Sequence, residues 1–124
     1  MPDLIAQLPT DRIYKLLRGP EWQALQQQGQ TCGSADDERD GYVHLSTAGQ
    51  LPGTLERYYA ETPEVWLLAL DPVALGAALR WEPSRGGMLF PHLYGPLRLA
   101  ACAVVAMRTS VAAGWLVVAG CGRS

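Results

Sequence analysis

Short segments of alternating or continuous apolar residues recur along the chain, and they predict β-strands. Successive side chains of Arg12–Leu17 would point to opposite faces of a first strand. Val65–Leu70 is continuously apolar and predicts a buried strand. Three further strands are predicted: Tyr42–Ser46, Leu79–Glu82 and a final strand near Leu97–Met107. The chain is therefore expected to be rich in β-structure.

Helix caps and chain breakers predict three helices between these strands. Pro20 can occupy the first position of a helix that Gly29 terminates. Thr47 is a predicted N-cap of a second helix, and Asp71 of a short third one. Thr31–Gly41 is rich in acidic residues and predicts an exposed loop. Because strands outnumber helices and the helices fall early, the pattern favours an α+β fold over a doubly wound sheet.

The composition is that of one globular domain. The 124 residues are 48% apolar and 18% charged, and no repeat or linker divides them. We therefore expect a single domain over 1–124. Its core is expected at about 12–107, with 110–124 forming an extra strand or a loose tail.

Charge and cysteine content limit the partners of the protein. A net charge of −2 with a single lysine, Lys15, argues against a nucleic-acid partner, but one or two arginines could still hold a small phosphorylated ligand. Cys32, Cys102 and Cys121 are widely spaced, which predicts reduced thiols rather than a zinc ribbon or a disulfide framework. No signal-like start and no run of about 20 apolar residues occurs, so we expect a cytoplasmic protein without a membrane partner.

The two histidines, His44 and His92, carry the most information about function. The period of two along Tyr42–Ser46 puts Tyr42, His44 and Ser46 on one face of the predicted strand. His44 and Ser46 would lie about 7 Å apart, too far for a nucleophile and its base but suitable for two contacts to one ligand. The pattern thus indicates a binding face rather than a serine hydrolase, and the alternative is that His44 only satisfies a backbone carbonyl.

A second aromatic segment surrounds His92. If the chain is extended there, one face of the strand carries Phe90, His92 and Tyr94. Pro91 predicts that this strand lies at the edge of a sheet or begins near the proline. Such a surface could stack against a flat heteroaromatic ligand. We predict that both histidines line one shared pocket.

Glu82 and Arg85 are further candidates for ligand contact. Glu82 either pairs with Arg80 or Arg85, or serves as a carboxylate that bonds a ribose hydroxyl or stabilises positive charge at a sugar carbon. Arg85 is either a bidentate phosphate ligand or an exposed loop arginine. No metal site is predicted, because the histidines lack a spacing typical of metal ligands.

Several motifs together resemble the bacterial DUF952 family. They lie in order between Arg12 and Met107: Ile13-Tyr14-Lys15, Asp40–Thr47 with Gln50, Leu79–Glu82 and Phe90–Leu97. That family resembles the ADP-ribosyltransferase superfamily in fold, which implies a split β-sheet core with flanking helices that binds NAD in a cleft. Val43–Ser46 is similar to the His-Leu-Ser strand of RNA 2′-phosphotransferases, although this chain lacks the basic surface that RNA requires.

The resemblance implies site residues and a ligand class. On the first core strand, where the superfamily commonly has histidine or arginine, this chain has Tyr14 and Lys15. Ser46 is expected to support the nicotinamide-ribose end, and Thr47 to cap the next helix or bond the ligand. Either Glu82 or His92 would take the late-strand position of the superfamily glutamate.

Residue pattern and resemblance together predict two sets of site residues. The catalytic candidates are His44, Glu82 and His92, and the ligand-binding candidates are Tyr14, Ser46, Thr47, Arg85, Phe90 and Tyr94. NAD is the expected cofactor or substrate, and a small nucleotide-like molecule the expected partner. The function expected is that of an ADP-ribosyltransferase-like enzyme acting on a small molecule. The alternative is a non-catalytic nucleotide-sensing or structural module that uses the same cleft.

Overall fold

A five-stranded antiparallel sheet forms the centre of the computed structural model, which describes residues 3–118. In chain order its strands are β1 Ile13–Arg18, β4 Ser46–Thr47, β5 Val65–Leu70, β9 Cys102–Arg108 and β10 Leu116–Val117. Across the sheet they follow the order β10-β9-β5-β1-β4. The longest pairings join β1 to β5 and β5 to β9, so β5 is the central strand.

Two smaller antiparallel sheets complete the β-structure of residues 3–118. One has three strands in the order β3-β7-β6, with β3 at Val43–His44, β6 at Leu79–Pro83 and β7 at Leu89–Leu93. The other pairs β2, Gln30–Thr31, with β8, Leu97–Arg98. The chain passes from the three-stranded sheet to the five-stranded sheet at Leu45, between β3 and β4.

Four α-helices connect these strands. They are α1 Gly19–Gln28, α2 Ala35–Asp40, α3 Leu51–Tyr58 and α4 Pro72–Leu75. Single 3-10 turns lie at Ile5–Gln7, Ala48–Gln50, Gly76–Ala78, Arg85–Gly87 and Leu99–Ala101. Within residues 3–118, no helix has the length and apolar character needed to cross a bilayer.

Apolar side chains cover both faces of the five-stranded sheet. On β1, Ile13 and Leu17 pack into one cluster, whereas Tyr14 and Leu16 pack into the other. Leu67 and Leu68 of β5 divide between the same two clusters. Because successive side chains of a strand point to opposite faces, a sheet buried on both sides needs apolar residues at nearly every position. This explains the continuously apolar sequence of β5 and confirms the predicted α+β fold.

Most predicted elements are present, and their caps are those expected. Gly29 ends α1 in the left-handed conformation, with φ +78°. The Asp71 side chain accepts a hydrogen bond from the backbone N–H of Val73 and caps α4. At the C-terminal end, β10 lies at Leu116–Val117, and residues 119–124 of the predicted extra strand or loose tail lie outside the described residues.

The prediction of an exposed acidic loop at Thr31–Gly41 is wrong. This segment contains α2, whose N-cap Ser34 accepts from the Asp37 backbone N–H while Asp37 accepts from that of Ser34. This reciprocal pair is a capping box with aspartate in the position that glutamate usually takes. The acidic composition concealed the helix, because Ser-x-x-Asp also suits a turn.

Two predicted strands are interrupted. Tyr42–Ser46 is not one strand, since β3 and β4 belong to different sheets and Leu45 lies between them. The final strand near Leu97–Met107 is likewise divided into β8 and β9 by the 3-10 turn at Leu99–Ala101. The residue pattern within a segment does not reveal such breaks, because a change of partner strand depends on residues far away in the chain.

Pro91 lies in the central strand of the three-stranded sheet, so its predicted position at an edge or a strand start is wrong. Its carbonyl accepts a hydrogen bond of 3.0 Å from the Leu45 N–H. Because N and C=O of one residue in a strand point to the same side, the Pro91 nitrogen also faces Leu45. Proline has no N–H to donate there, and the β3–β7 pairing covers only Val43–Leu93 and His44–His92.

Candidate functional site

A cleft of about 250 Å³ opens beside β1, between α2, α3 and the start of β7. Its lining is polar and aromatic. Among the residues that line it are Tyr14, Lys15, Ser34, Asp37, Tyr42, His44, Ser46, Thr54, Arg85, Phe90 and His92. The two larger sheets therefore both contribute side chains to one concave site.

His44 and His92 meet in this cleft, which confirms the prediction of a shared pocket. They are directly opposed in the β3–β7 pairing, and their ring centroids lie 5.5 Å apart in an edge-on arrangement. Tyr42 stacks on His92 at 4.1 Å and tilts against His44 at 4.7 Å. Strand pairing thus brings together residues that are distant in sequence, and Tyr42 covers both imidazoles.

His92 is held in one orientation by Glu82. The His92 Nδ1 lies 2.7 Å from the Glu82 Oε1, and the Tyr94 hydroxyl donates to the same oxygen at 2.8 Å. The bonds from His92 and Tyr94 lower the pKa of the Glu82 carboxyl, which therefore accepts hydrogen bonds as a carboxylate. The hydrogen of the pair must then be on Nδ1. The Nε2 atom is buried and has no hydrogen-bond partner among residues 3–118.

Glu82 has partners other than the arginines predicted for it. It bonds His92 and Tyr94 and not an arginine, so the predicted pairing with Arg80 or Arg85 is wrong. Neither Glu82 nor Tyr94 is among the residues that line the cleft. Both lie behind His92, where they orient its ring.

Asp37 organises the other end of the cleft. Its carboxylate is buried, and the Oδ1 atom accepts hydrogen bonds from the backbone N–H and from Nδ1 of His44. The Oδ2 atom accepts hydrogen bonds from Lys15 Nζ at 2.7 Å and from the Ser34 backbone N–H at 3.0 Å. Burial alone would raise the pKa of Asp37, but the bonds from His44 and Lys15 and the Lys15 charge hold it well below its usual range. Asp37 was not among the predicted site residues, and its only signal in the sequence is its three-residue spacing from Ser34.

Lys15 and His44 are fixed by the same network. Lys15 is 4% exposed, and its Nζ also donates to the His44 carbonyl at 3.0 Å. The His44 Nε2 lies 3.0 Å from an oxygen of Asp40. His44 thus contacts carboxylates through both ring nitrogens, and the alternative that its ring satisfies a backbone carbonyl is wrong.

The remaining predicted residues divide into two groups. Tyr14, Ser46, Arg85 and Phe90 line the cleft, although the Tyr14 hydroxyl donates to the Pro9 carbonyl at 2.6 Å. Thr47 is not among the lining residues. Its hydroxyl accepts from the backbone N–H of Gln50, so Thr47 acts as a cap. Thr54 lines the cleft and was missed, because nothing in its helical context distinguished it.

Fold and cleft together define a class: a small α+β protein with antiparallel sheets and a polar cleft that both larger sheets line. The family model described as "Protein of unknown function (DUF952)" matches residues 16–106. The chain belongs to this family, and the resemblance found in its motifs is confirmed.

Solved structures of one bacterial protein are similar to this chain. A crystal structure of protein CC0527 from Caulobacter crescentus is 38% identical over 90% of each chain, with a TM-score of 0.72. A crystal structure of its double mutant is 40% identical over 76% of this chain and 85% of that one, with a TM-score of 0.71. Its solution NMR structure is 40% identical over 80% and 84%, with a TM-score of 0.68. No curated protein matches the chain.

Proposed function

We propose that the cleft binds a small nucleotide-like ligand of the NAD or ADP-ribose class. The observation that carries this proposal is the buried Nε2 of His92, which has no partner among residues 3–118. A buried polar atom left without a hydrogen bond costs about 1–3 kcal/mol, and a ligand atom bonded to it would remove that cost. Because Nδ1 is engaged by Glu82, Nε2 is the ring nitrogen left to bond a ligand that displaces its surroundings.

The lining residues suit one end of such a ligand. Aromatic rings of Tyr42, Tyr58 and Phe90 offer apolar faces, and the Ser46 hydroxyl offers a hydrogen bond to a sugar. A volume of about 250 Å³ lies just below the roughly 300–1,000 Å³ of sites that enclose a whole drug-sized ligand. The cleft therefore fits a nucleoside-sized end, and the rest of a dinucleotide would extend past the opening.

The arrangement of the two larger sheets supports an ADP-ribosyltransferase-like fold. A split core requires the chain to pass from one sheet to another beside the ligand site, and here it does so at Leu45, between His44 and Ser46. Of the two candidates for the late-strand position, His92 is the better supported. It lines the cleft, whereas Glu82 lies behind it.

Two forms of this function differ in whether the ligand is transformed. ADP-ribosyl transfer to a small acceptor is favoured by the Tyr94–Glu82–His92 chain, since a carboxylate that fixes one imidazole tautomer is typical of a general base. Non-catalytic sensing is favoured by the carboxylates that line the cleft. Asp36, Asp37 and Asp40 are all paired, which leaves none of them free to stabilise positive charge at a ribose carbon.

The first test is a calorimetric titration of the protein with NAD and with ADP-ribose. We expect saturable binding that weakens at least about tenfold in His92→Ala, the loss expected for one good hydrogen bond from a buried site. Glu82→Gln, which can still orient the ring, should weaken binding less. Failure of both ligands to bind the wild-type protein would refute the proposal.

The two forms of the function are separated by following NAD in the presence of the protein. Release of nicotinamide that stops in His92→Ala would support a transformed ligand, with the ADP-ribosyl group passed to an added small acceptor or, in its absence, to water. Binding without any consumption of NAD would support sensing.

A further inference from the structure

We propose that Arg85 and Thr54 form an oxyanion subsite at one end of the cleft, which takes a phosphate group of the ligand. This inference deepens the proposed function and rests on it for the rest of the ligand. It assigns a role to Thr54, and it specifies which cation of the cleft meets the anion.

The charges that line the cleft distinguish Arg85 from the other cations. Three lining cations have carboxylate partners: Lys15 with Asp37 at 2.7 Å, Arg39 with Asp36 at 3.1 Å and Asp40 at 3.0 Å, and Arg18 with Glu21 at 3.6 Å. Within the part of the chain that the structure describes, Arg85 has no carboxylate at ion-pair distance. Its charge is therefore available to an anionic ligand.

Arg85 is also held in position without being neutralised. Its guanidinium lies 4.9 Å from the centre of the Phe90 ring, in a cation–π contact. On another side it lies against Gly53, where an added Cβ would come within 3.1 Å of Nη2. Glycine at this position leaves room for the guanidinium, and the aromatic ring restricts its motion. Little side-chain entropy then remains to be lost when an anion binds.

Hydroxyl groups lie beside the guanidinium. Arg85 Nη2 is 3.4 Å from the Thr54 Oγ1, which lies 3.1 Å from the Ser46 Oγ. Ser46 is 5% exposed, so this pair closes the inner side of the subsite. The Thr54 hydroxyl also donates to the Gln50 carbonyl at 3.2 Å, and because hydroxyl hydrogens rotate, it can exchange this bond for one to an incoming oxyanion.

The charged N–H donors of Arg85 favour a phosphate over a neutral group. A guanidinium has five N–H groups, and the hydrogen bond to Thr54 uses one of them. The others can form the two parallel bonds with which arginine binds phosphate or carboxylate oxygens. An NAD or ADP-ribose ligand would place its diphosphate there, with its sugar towards Ser46 and His92.

The test is an NMR titration of isotope-labelled full-length protein with inorganic pyrophosphate, ADP-ribose and adenosine. Pyrophosphate should shift the resonances of Ser46, Thr54 and Arg85, whereas adenosine should leave Arg85 unchanged. Arg85→Gln should weaken ADP-ribose binding by about 10- to 100-fold, as expected for charge-assisted hydrogen bonds. Thr54→Val should weaken it by about fivefold, and Thr54→Ser should retain it.

Arg57→Gln is the matched control. Arg57 is an exposed arginine on α3, the helix that carries Thr54; it does not line the cleft, and its variant loses the same charge as Arg85→Gln. Its variant should bind ADP-ribose like the wild-type protein. An equal loss of affinity in Arg57→Gln and Arg85→Gln would mean that only overall charge matters, and would overturn the subsite.

The outcomes separate the subsite from the proposed function. If ADP-ribose binds and Arg85→Gln and Thr54→Val retain that binding, the subsite is refuted and the proposed function stands. If pyrophosphate binds in an Arg85-dependent manner but neither NAD nor ADP-ribose binds, the subsite stands and the nucleotide class is refuted. If no phosphate compound binds, both are refuted.

Discussion

Asp37 and Lys15 form an ion pair that is almost wholly removed from water, with side chains 1% and 5% exposed. Removing two charges from water is unfavourable, and it is compensated only where hydrogen bonds satisfy the remaining polar atoms. Here both Asp37 oxygens accept two hydrogen bonds each. Loss of the charge at Asp37 would leave Lys15 buried without its partner.

Asp37→Asn should therefore lower stability at pH 7 by about 3 kcal/mol. The pKa of Asp37 is lower in the folded protein than the value of about 3.9 expected when unfolded, so the unfolded state binds more protons between these two values. The stabilisation is complete above about pH 4–5 and is lost as the pH falls towards the folded pKa. Urea unfolding from pH 3 to 7 should thus be less pH-dependent in the variant than in the wild-type protein.

Asp36→Asn is the control for this prediction, because the Asp36 side chain is 59% exposed and pairs only with Arg39 at the surface. Its stability should change by less than about 0.5 kcal/mol, with the pH dependence of the wild-type protein retained. Equal pH dependence in Asp37→Asn and the wild-type protein would contradict a lowered pKa at Asp37.

At the scale of elements, α2 is positioned through its N-terminal end. Gly33 precedes the cap residue with φ +95°, a conformation that side chains other than glycine rarely adopt. A Cβ at this position would overlap the Asp37 carboxylate. The helix can therefore approach His44 and Lys15 only with glycine at position 33.

Gly33→Ala should destabilise the protein more than Gly41→Ala, by at least about 1 kcal/mol. Gly41 ends the same helix at φ +86° and has open space around it, so alanine there incurs only the backbone cost of about 1–2 kcal/mol. Thermal unfolding of the two variants measures the difference. The imidazole NMR signals of His44 should shift in Gly33→Ala alone, and equal destabilisation with unshifted signals would exclude the overlap with Asp37.

For the whole molecule, the central strand β5 links the two apolar clusters. Leu67 belongs to one cluster and Leu68 to the other, and both are fully buried. Because the residues are neighbours in one strand, neither cluster can be lost without displacing the strand that the other needs. The domain is therefore expected to unfold as one unit.

Leu67→Ala and Leu68→Ala should each destabilise the protein by about 2–5 kcal/mol, the usual range for a truncated core leucine. In both variants, urea transitions followed by tryptophan fluorescence and by circular dichroism should coincide. Val73→Ala, at a side chain that is 85% exposed, should change stability by less than about 0.5 kcal/mol. Two separate transitions in either leucine variant would mean that the clusters unfold independently.

The sequence alone predicted the elements that depend on local chemistry. Strand β5 followed from its apolar run, and the ends of α1 and α4 followed from Gly29 and Asp71, because caps and burial patterns act over a few residues. That His44 and His92 line one pocket was also predicted, from the aromatic residues beside each, but not which strands bring them together. The predictions of β5 and of the helix ends required no knowledge of how distant segments pair.

Only the tertiary structure decided the chemistry of the cleft. Strand pairing places His44 opposite His92. The acidic segment that the sequence predicted as an exposed loop contains a helix, and the Asp37 carboxylate of this helix is buried against Lys15. Thr54 and Arg85 likewise meet only because α3 and the turn before β7 pack together. Burial and hydrogen bonding depend on residues far apart in the chain, and periodicity within one segment carries no information about them.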